Sequence, residues 1–290
     1  MDQTLHITSG DASGEILAAS GIQGEVFVWH DVLYDGPRKP GWPSEEILQD
    51  RARFLEIFSG GGLSFEGILT TLKRQYAKLS TADTFDSVVL WFDACLFDQS
   101  MLAHVLTCLQ LNEINGVSLI CVDAWPGIDR FNGLGQLKPE DLASLVGSGQ
   151  PVTEVQYIYA AEVDRAFALN DPQLLSELSG QTDAPLPWVP AAAARWLKEQ
   201  PDSETGLRHL ETLALAAIRS GVEKPVDIFR AVAAAETPPQ YWGDTTLWAR
   251  INDLAGHTPP LVTVDGPTSR LPQWNPVDLD DFRVRPVRGA

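Results

Sequence analysis

Short apolar runs bounded by turn residues alternate with longer stretches of helical spacing through the first half of the chain. Leu5-His6-Ile7-Thr8 is short and alternating, Ser9-Gly10-Asp11 turns, and Ala12–Ser20 carries Ile16 and Leu17 on one apolar helical face. Gly21 and Gly24 break that helix, and Glu25-Val26-Phe27-Val28-Trp29 has the β-branched and aromatic content of a strand. A helical crossover between two such strands predicts that they run parallel, as a βαβ unit. Turn signals follow at Asp35-Gly36-Pro37 and Pro40-Gly41-Trp42-Pro43. Ser44 before Glu45 and Glu46 then predicts a capped helix to Phe58, and helical spacing resumes over Phe65–Leu79 beyond Gly60-Gly61-Gly62. Ser87–Phe92 and Val117–Val122 are nearly unbroken apolar strands, the pattern of a sheet covered on both faces, and Ser100–Leu111 between them reads as an amphipathic helix. Four strands separated by helices predict an α/β fold with a mostly parallel, Rossmann-like sheet.

From Thr153 onward the spacing is helical, over 155–170, 172–178, 190–200, 207–220, 225–235 and 244–255, the last with Asp244 placed as its cap. Pro260–Val264 is a short strand. This order predicts an α/β domain over 1–150, a helical domain over 151–267, and a Pro/Asp/Arg-rich tail over 268–290 that either drapes on the surface or is disordered. The last three helices and the strand after them follow the order of a winged helix, with 244–255 in the place of the recognition helix.

Charge narrows the choice of partners. The 290 residues carry a net charge of -18, which repels phosphate backbones at long range and argues against a nucleic-acid partner. No basic run offsets it; the nearest is Arg283, Arg285 and Arg288 in the tail. Between Gly206 and Gly256, five Lys/Arg (Arg208, Arg219, Lys224, Arg230, Arg250) face six Asp/Glu (Glu211, Glu223, Asp227, Glu236, Asp244, Asp253), so a winged helix here is expected to contact protein or serve as a packing domain rather than bind DNA. The three cysteines, Cys95, Cys108 and Cys121, form no CxxC pair and lie in or near apolar segments, which predicts buried free thiols in a reducing compartment. No apolar stretch reaches the ~18 residues of a membrane span, and no basic region with an apolar core opens the chain. A cytoplasmic location without membrane contact is the expectation.

Candidate chemistry gathers at the strand exits. Ser9-Gly10-Asp11-Ala12-Ser13-Gly14 follows the first strand with small residues and leads into a helix, whose free amides suit an anion; alternatively Asp11 or Ser9 merely caps that helix. It is neither GxGxxG nor a P-loop with its lysine. Asp31 and Asp93 follow two further strands, and Asp98 and Gln99 open the next helix. In an open parallel sheet these positions share the edge where ligands bind. Such carboxylates hold Mg²⁺, bind a ribose or act as a general base, or else cap helices and face solvent. Arg51 or Arg53 can supply positive charge, depending on which points inward. His6 and His30 are placed to serve as bases or to tie the structure together. Asn132-Gly133-Leu134-Gly135-Gln136-Leu137 either closes a lid on this rim or turns the chain. No Ser/His/Asp triad is legible.

Two separated segments, LHITSGDASGEILAASGIQGEVFVWHDVLYDGP and VVLWFDACLFDQSMLAHVL, resemble the bacterial DUF1835 domain family. The stretch from GLRHLETLALAAIRSG through YWGDTTLWARINDLA to PPLV resembles its DUF3658-like companion region. The family has no assigned activity. The resemblance implies that Gly10, Asp11, Asp31, Gly36, Pro37, Trp91, Phe92, Asp98 and Gln99 recur as a set. Ala94-Cys95 departs from the polar or acidic residues that the resemblance implies there, which weakens a catalytic role for 93–95.

The reading is a small anionic or nucleotide-like ligand at the sheet edge, held by Ser9, Gly10, Asp11, Ser13, Arg51, Asp98 and Gln99, with Asp31 and Asp93 as candidate catalytic groups and Mg²⁺ as a candidate ion. The alternatives are a hydrolase or transferase acting on phosphoesters or nucleotides, and a regulatory protein using the winged helix, which would close over the site or bind a protein or DNA partner.

Overall fold

The computed structural model describes residues 3–60, 62–236, 242–273 and 278–287. The chain divides into two compact units. The first contains residues up to Ala52 and Leu69–Leu197; the second contains Arg53–Ile68 and the residues from Lys198 onward.

The first unit is an α/β fold with a mostly parallel sheet, as the spacing predicts. β1 (Thr4–Ser9), α1 (Asp11–Ala19) and β2 (Glu25–Trp29) form the expected βαβ unit, with β1 and β2 parallel from Leu5 opposite Glu25 to Ser9 opposite Trp29. Gly24 permits the turn into β2: its φ is +128°, and a Cβ there would lie 2.3 Å from the Thr4 carbonyl oxygen. After α2 (Glu45–Phe58) and α3 (Phe65–Ser80), β3 (Ser87–Asp93) pairs with the other side of β1, and β4 (Val117–Val122) continues the parallel sheet. The two-residue β5 (Gln150–Pro151) adds an antiparallel edge, giving the order β2-β1-β3-β4-β5.

The helix between β3 and β4 differs from its sequence expectation. α4 runs Leu96–Leu111, four residues earlier than its amphipathic pattern suggested, and every residue from Asp98 to Leu109 is buried. It lies against the sheet and is covered by α6 (Glu154–Leu169), so it has no solvent stripe of that length. On the opposite face Leu17 of α1, Trp91, Ile120, Leu134 and Leu142 of α5 (Pro139–Ser144) share one apolar cluster.

The boundary expected near Pro151 falls inside this unit. α6, α7 (Pro172–Ser179) and most of α8 (Val189–Lys198) belong to it, because α6 supplies the cover that α4 needs. Asp164 of α6 bonds the Gly41 amide at 2.7 Å, and Trp196 Nε1 donates to the Tyr34 carbonyl at 3.0 Å.

The second unit packs α9 (His209–Arg219), α10 (Pro225–Ala235) and α11 (Asp244–Gly256) around Leu210, Ile218, Ile228, Leu247 and Ile251. Asp244 is the first helical residue rather than the cap; Gly243 holds the cap position without a side-chain bond. The tail neither drapes nor hangs free where it is described. β7 (Arg283–Pro286) pairs antiparallel with β6 (Val262–Asp265), and Phe282 and Val284 enter the core. Residues 274–277 and 288–290 of the expected tail, Arg288 among them, lie outside the described residues. Arg250 of α11 is buried and bonds Asp253 at 3.0 Å, so it is not presented outward as a recognition helix would require. Among the described residues no helix is long and apolar enough to cross a membrane.

Replacing Gly24 by Ala is expected to lower the stability of the first unit by roughly 1–3 kcal/mol, through backbone strain at positive φ and the contact with Thr4. Urea unfolding followed by far-UV circular dichroism measures it. An unchanged midpoint would show that the turn tolerates a side chain.

Candidate functional site

β1 lies between β2 and β3, and the connections leaving β1 and β3 run to opposite faces of the sheet. In open α/β sheets such a reversal, beyond the carboxyl ends of the two strands, is the place where ligands bind. Ser9, Gly10 and the first turn of α1 form one side; Asp93, Ala94, Cys95 and the first turn of α4 form the other.

A buried polar network joins the two sides. Ser9 Oγ donates to Asp98 Oδ1, and the Asp93 amide donates to Asp98 Oδ2 at 2.7 Å. Asp93 Oδ1 in turn accepts the Cys95 amide at 2.9 Å. Gln99 Nε2 reaches the Asp93 carbonyl at 2.6 Å. Four of the predicted residues therefore meet: Ser9, Asp93, Asp98 and Gln99, all buried. Burial pushes the Asp93 carboxyl above the usual carboxylate range. Burial, and then the charge of Asp93, push Asp98 further. Burial also raises the Cys95 thiol, with both aspartates adding to it. Asp93, Cys95 and Asp98 present possible metal-ligand atoms within 4.8 Å of one another.

The rim is open. Gly10, with φ +67°, caps α1 without any side-chain bond, so neither Asp11 nor Ser9 serves as the cap. The amides of the first turn lack intrahelical acceptors by the geometry of any α-helix. Asp11 and Ala12 are exposed and Ser13 is half-buried. Asp11 Oδ1 meets His30 Nε2 at 2.7 Å, which brings His30 onto the rim. Asn132–Leu137 packs beside α1: Leu134 is buried, and a Cβ on Gly135 would touch Ala12 at 3.3 Å. His6 is a structural tie. Its Nδ1 accepts from Trp91 Nε1 at 3.0 Å, which leaves Nε2–H to donate to the Gln23 carbonyl at 3.0 Å, and burial lowers its pKa.

Asp31 and Arg51 do not join the crevice as a base and a free cation. Asp31 Oδ1 receives Arg51 Nε at 2.9 Å, Arg51 Nη2 at 2.7 Å and the Val32 amide at 2.7 Å. Arg51 also donates to the carbonyls of Val32 and Asp35. A strand exit fixes where a residue lies but not where its side chain turns, and here a buried ion pair has claimed it. Of the two arginines on α2, Arg51 points inward while Arg53 lies over the Phe65 ring at 5.5 Å.

A second buried network was not legible beforehand. Arg38 Nη1 meets Asp164 Oδ1 at 2.5 Å, His104 Nδ1 meets the same oxygen at 3.0 Å, and Tyr76 Oη meets His104 Nε2 at 2.7 Å. Trp29 and Trp42 stand edge-on to Tyr76. Cys108 Sγ lies 3.6 Å from His104 Nε2, giving a Cys–His–Asp order. All three are buried and the tyrosine occupies the same nitrogen, so this is packing, not a nucleophile. Burial works against a charged His104 ring, but Cys108, Tyr76 and Asp164 outweigh it and hold its pKa well above the usual value. Burial likewise works against the Asp164 charge, and His104 and Arg38 outweigh it, holding that carboxyl below the usual range. Burial pushes Tyr76 up to about 12. The available signal was a histidine inside an apolar helix.

Comparison of the sequence with known protein families finds no matching family model, and comparison with curated proteins finds no match.

Asp164→Asn is expected to destabilise the first unit by roughly 3–5 kcal/mol, because Arg38 and His104 lose the carboxylate they share. The linkage has two signs. The His104 contribution is complete below the ordinary histidine pKa and lost as pH rises through the raised value; that of Asp164 is complete above the ordinary carboxylate pKa and lost as pH falls through the lowered one. Urea midpoints across pH test both, and a variant as stable as the parent would remove the network from the account.

Proposed function

We propose that the first unit binds a small anionic, nucleotide-like ligand at the crevice between the carboxyl ends of β1 and β3. The observation that carries this reading is the open, side-chain-free cap at Gly10 standing directly after Ser9, whose hydroxyl is tied to Asp98 across the strand reversal. The amides of the first turn of α1 and the Ser13 hydroxyl offer donors to an anionic group, and the helix dipole favours negative charge there. The network of Ser9, Asp93 and Asp98 holds the corner in one position, which lowers the ordering cost of binding. Asp93 and Asp98 act in this proposal as positioning groups. Asp11, exposed on the rim, is the carboxylate available to a ribose hydroxyl or to a Mg²⁺ ion accompanying a polyphosphate.

One observation favours a second reading, hydrolysis or transfer at a phosphoester: the Asp11–His30 pair is an acid–base couple on the rim. Asp31 has no part in that chemistry because Arg51 holds it. For the second unit, three helices followed by the β6–β7 ribbon support a winged-helix arrangement used for protein contact. In this reading the chain is a member of the DUF1835 family with its DUF3658-like companion region, which lends it no activity.

A thermal-shift panel of nucleotides and sugar phosphates, with and without Mg²⁺, tests the binding reading. A ligand at ~100 times its dissociation constant adds about 2.7 kcal/mol of stability. Ser13→Asp, which sets a fixed negative charge among the donors, is expected to abolish that shift while leaving the unliganded midpoint within a few degrees of the parent. A panel in which no compound raises the midpoint defeats the proposal.

A further inference from the structure

A narrow cleft opens in the first unit between the loop after β2 and helices α2, α3 and α4, with room for about one water molecule. Asp31, Arg38 and Lys39 reach it from the loop, Arg51 from α2, Tyr76 from α3 and His104 from α4; Asp164 of α6 stands behind Arg38 and His104. The charges here are unequal. Arg51 is matched by Asp31, but Arg38 and His104 share the single carboxylate of Asp164, and Lys39 makes no ion pair among the described residues. A chain of net charge -18 thus carries a local cationic excess around one small opening.

Arg38 supplies the more specific signal. Its terminal nitrogens are fixed by Asp164, through the carboxylate at 2.5 Å and the carbonyl at 3.3 Å, and its side chain is only 4% exposed. Its Nε has no hydrogen-bond partner. A buried guanidinium donor left unpaired is costly, and Arg38 is among the residues that line the cleft. We propose that the cleft is an oxyanion subsite: one oxygen of a small carboxylate or phosphate group enters it to accept from Arg38 Nε, while the remaining oxygens stay at the mouth beside the Lys39 ammonium. The size of the cleft sets that division, since it admits a single oxygen and leaves the rest of the group outside. The Asp31–Arg51 pair and the apolar side chains of Ile47 and Leu48 on α2 also line it. This subsite does not depend on the ligand proposed for the β1–β3 crevice.

Isothermal titration of the full chain at low salt with sodium phosphate, and separately with sodium acetate, tests the proposal. One anion is expected to bind per chain, and the tighter of the two probes identifies the group. Lys39→Glu is an exposed change that leaves the fold intact and is expected to weaken binding at least tenfold. Arg38→Lys keeps a cation beside Asp164 but lacks the Nε donor, and is expected to abolish it. Ser13→Asp is expected to leave this binding unchanged, which separates it from the crevice. Absence of heat with both probes leaves only water in the cleft and overturns the proposal. Binding that survives Lys39→Glu but is lost in Ser13→Asp places the anion elsewhere and overturns it equally.

Discussion

α4 is buried along nearly its whole length, so water is not at hand for its polar groups, and all of its buried side-chain polar atoms except Gln99 Oε1 have a hydrogen-bond partner inside the protein. Ser100 and Thr107 solve this locally by donating to carbonyls one turn back, at Phe97 and Ala103. Asp98, Gln99 and His104 cannot, and they reach across to Ser9, Asp93, Tyr76 and Asp164. One helix therefore determines two places in the first unit. Its first turn locks the corner after β1 to the end of β3, and its middle binds α3 and α6 together through one imidazole. The packing of an α/β sheet against a helix without a solvent stripe thus produces fixed polar geometry at the edge where such sheets bind ligands.

Electrostatics divides the same unit in two. Around the β3 exit two carboxyls are withdrawn from water close to one another, and burial, joined at Asp98 by the charge of Asp93, raises their affinity for protons against the hydrogen bonds that lower it. Around the loop after β2, the Arg38 guanidinium and the His104 imidazole share the single carboxylate of Asp164. The overall acidity of the chain describes neither place. Net charge governs long-range behaviour, while burial and the nearest partner govern each group.

The sheet was legible because β1 to β4 are apolar runs separated by helical spacing, and the parallel order follows from that alternation. β5 was not, since two residues ending in proline carry no periodic signal. The start of α4 was misplaced because Leu96 and Phe97 continue the apolar run across the turn at Asp93–Cys95. Ser9, Gly10, Asp93 and Asp98 could be placed on one edge because topology alone puts strand exits together. Asp31 shares that edge, yet its side chain is committed to Arg51, 20 residues away, and spacing does not encode such a choice. The Arg38–Asp164–His104 association joins residues 126 and 60 positions apart, with no motif to announce it. The tail's role in β7 was likewise hidden, because its proline and charge content masks the alternation of Phe282 and Val284.

The position of β7 bears on how the second unit is made. Its core is completed by Phe282 and Val284, and its remaining pieces begin as far back as Arg53. During synthesis those early residues wait through more than a hundred intervening ones before the strand that closes their unit leaves the ribosome. Domains generally fold as units as they emerge, and apolar surfaces left open meanwhile are prone to aggregate. For this chain that interval of exposure is built into the order in which its segments are delivered.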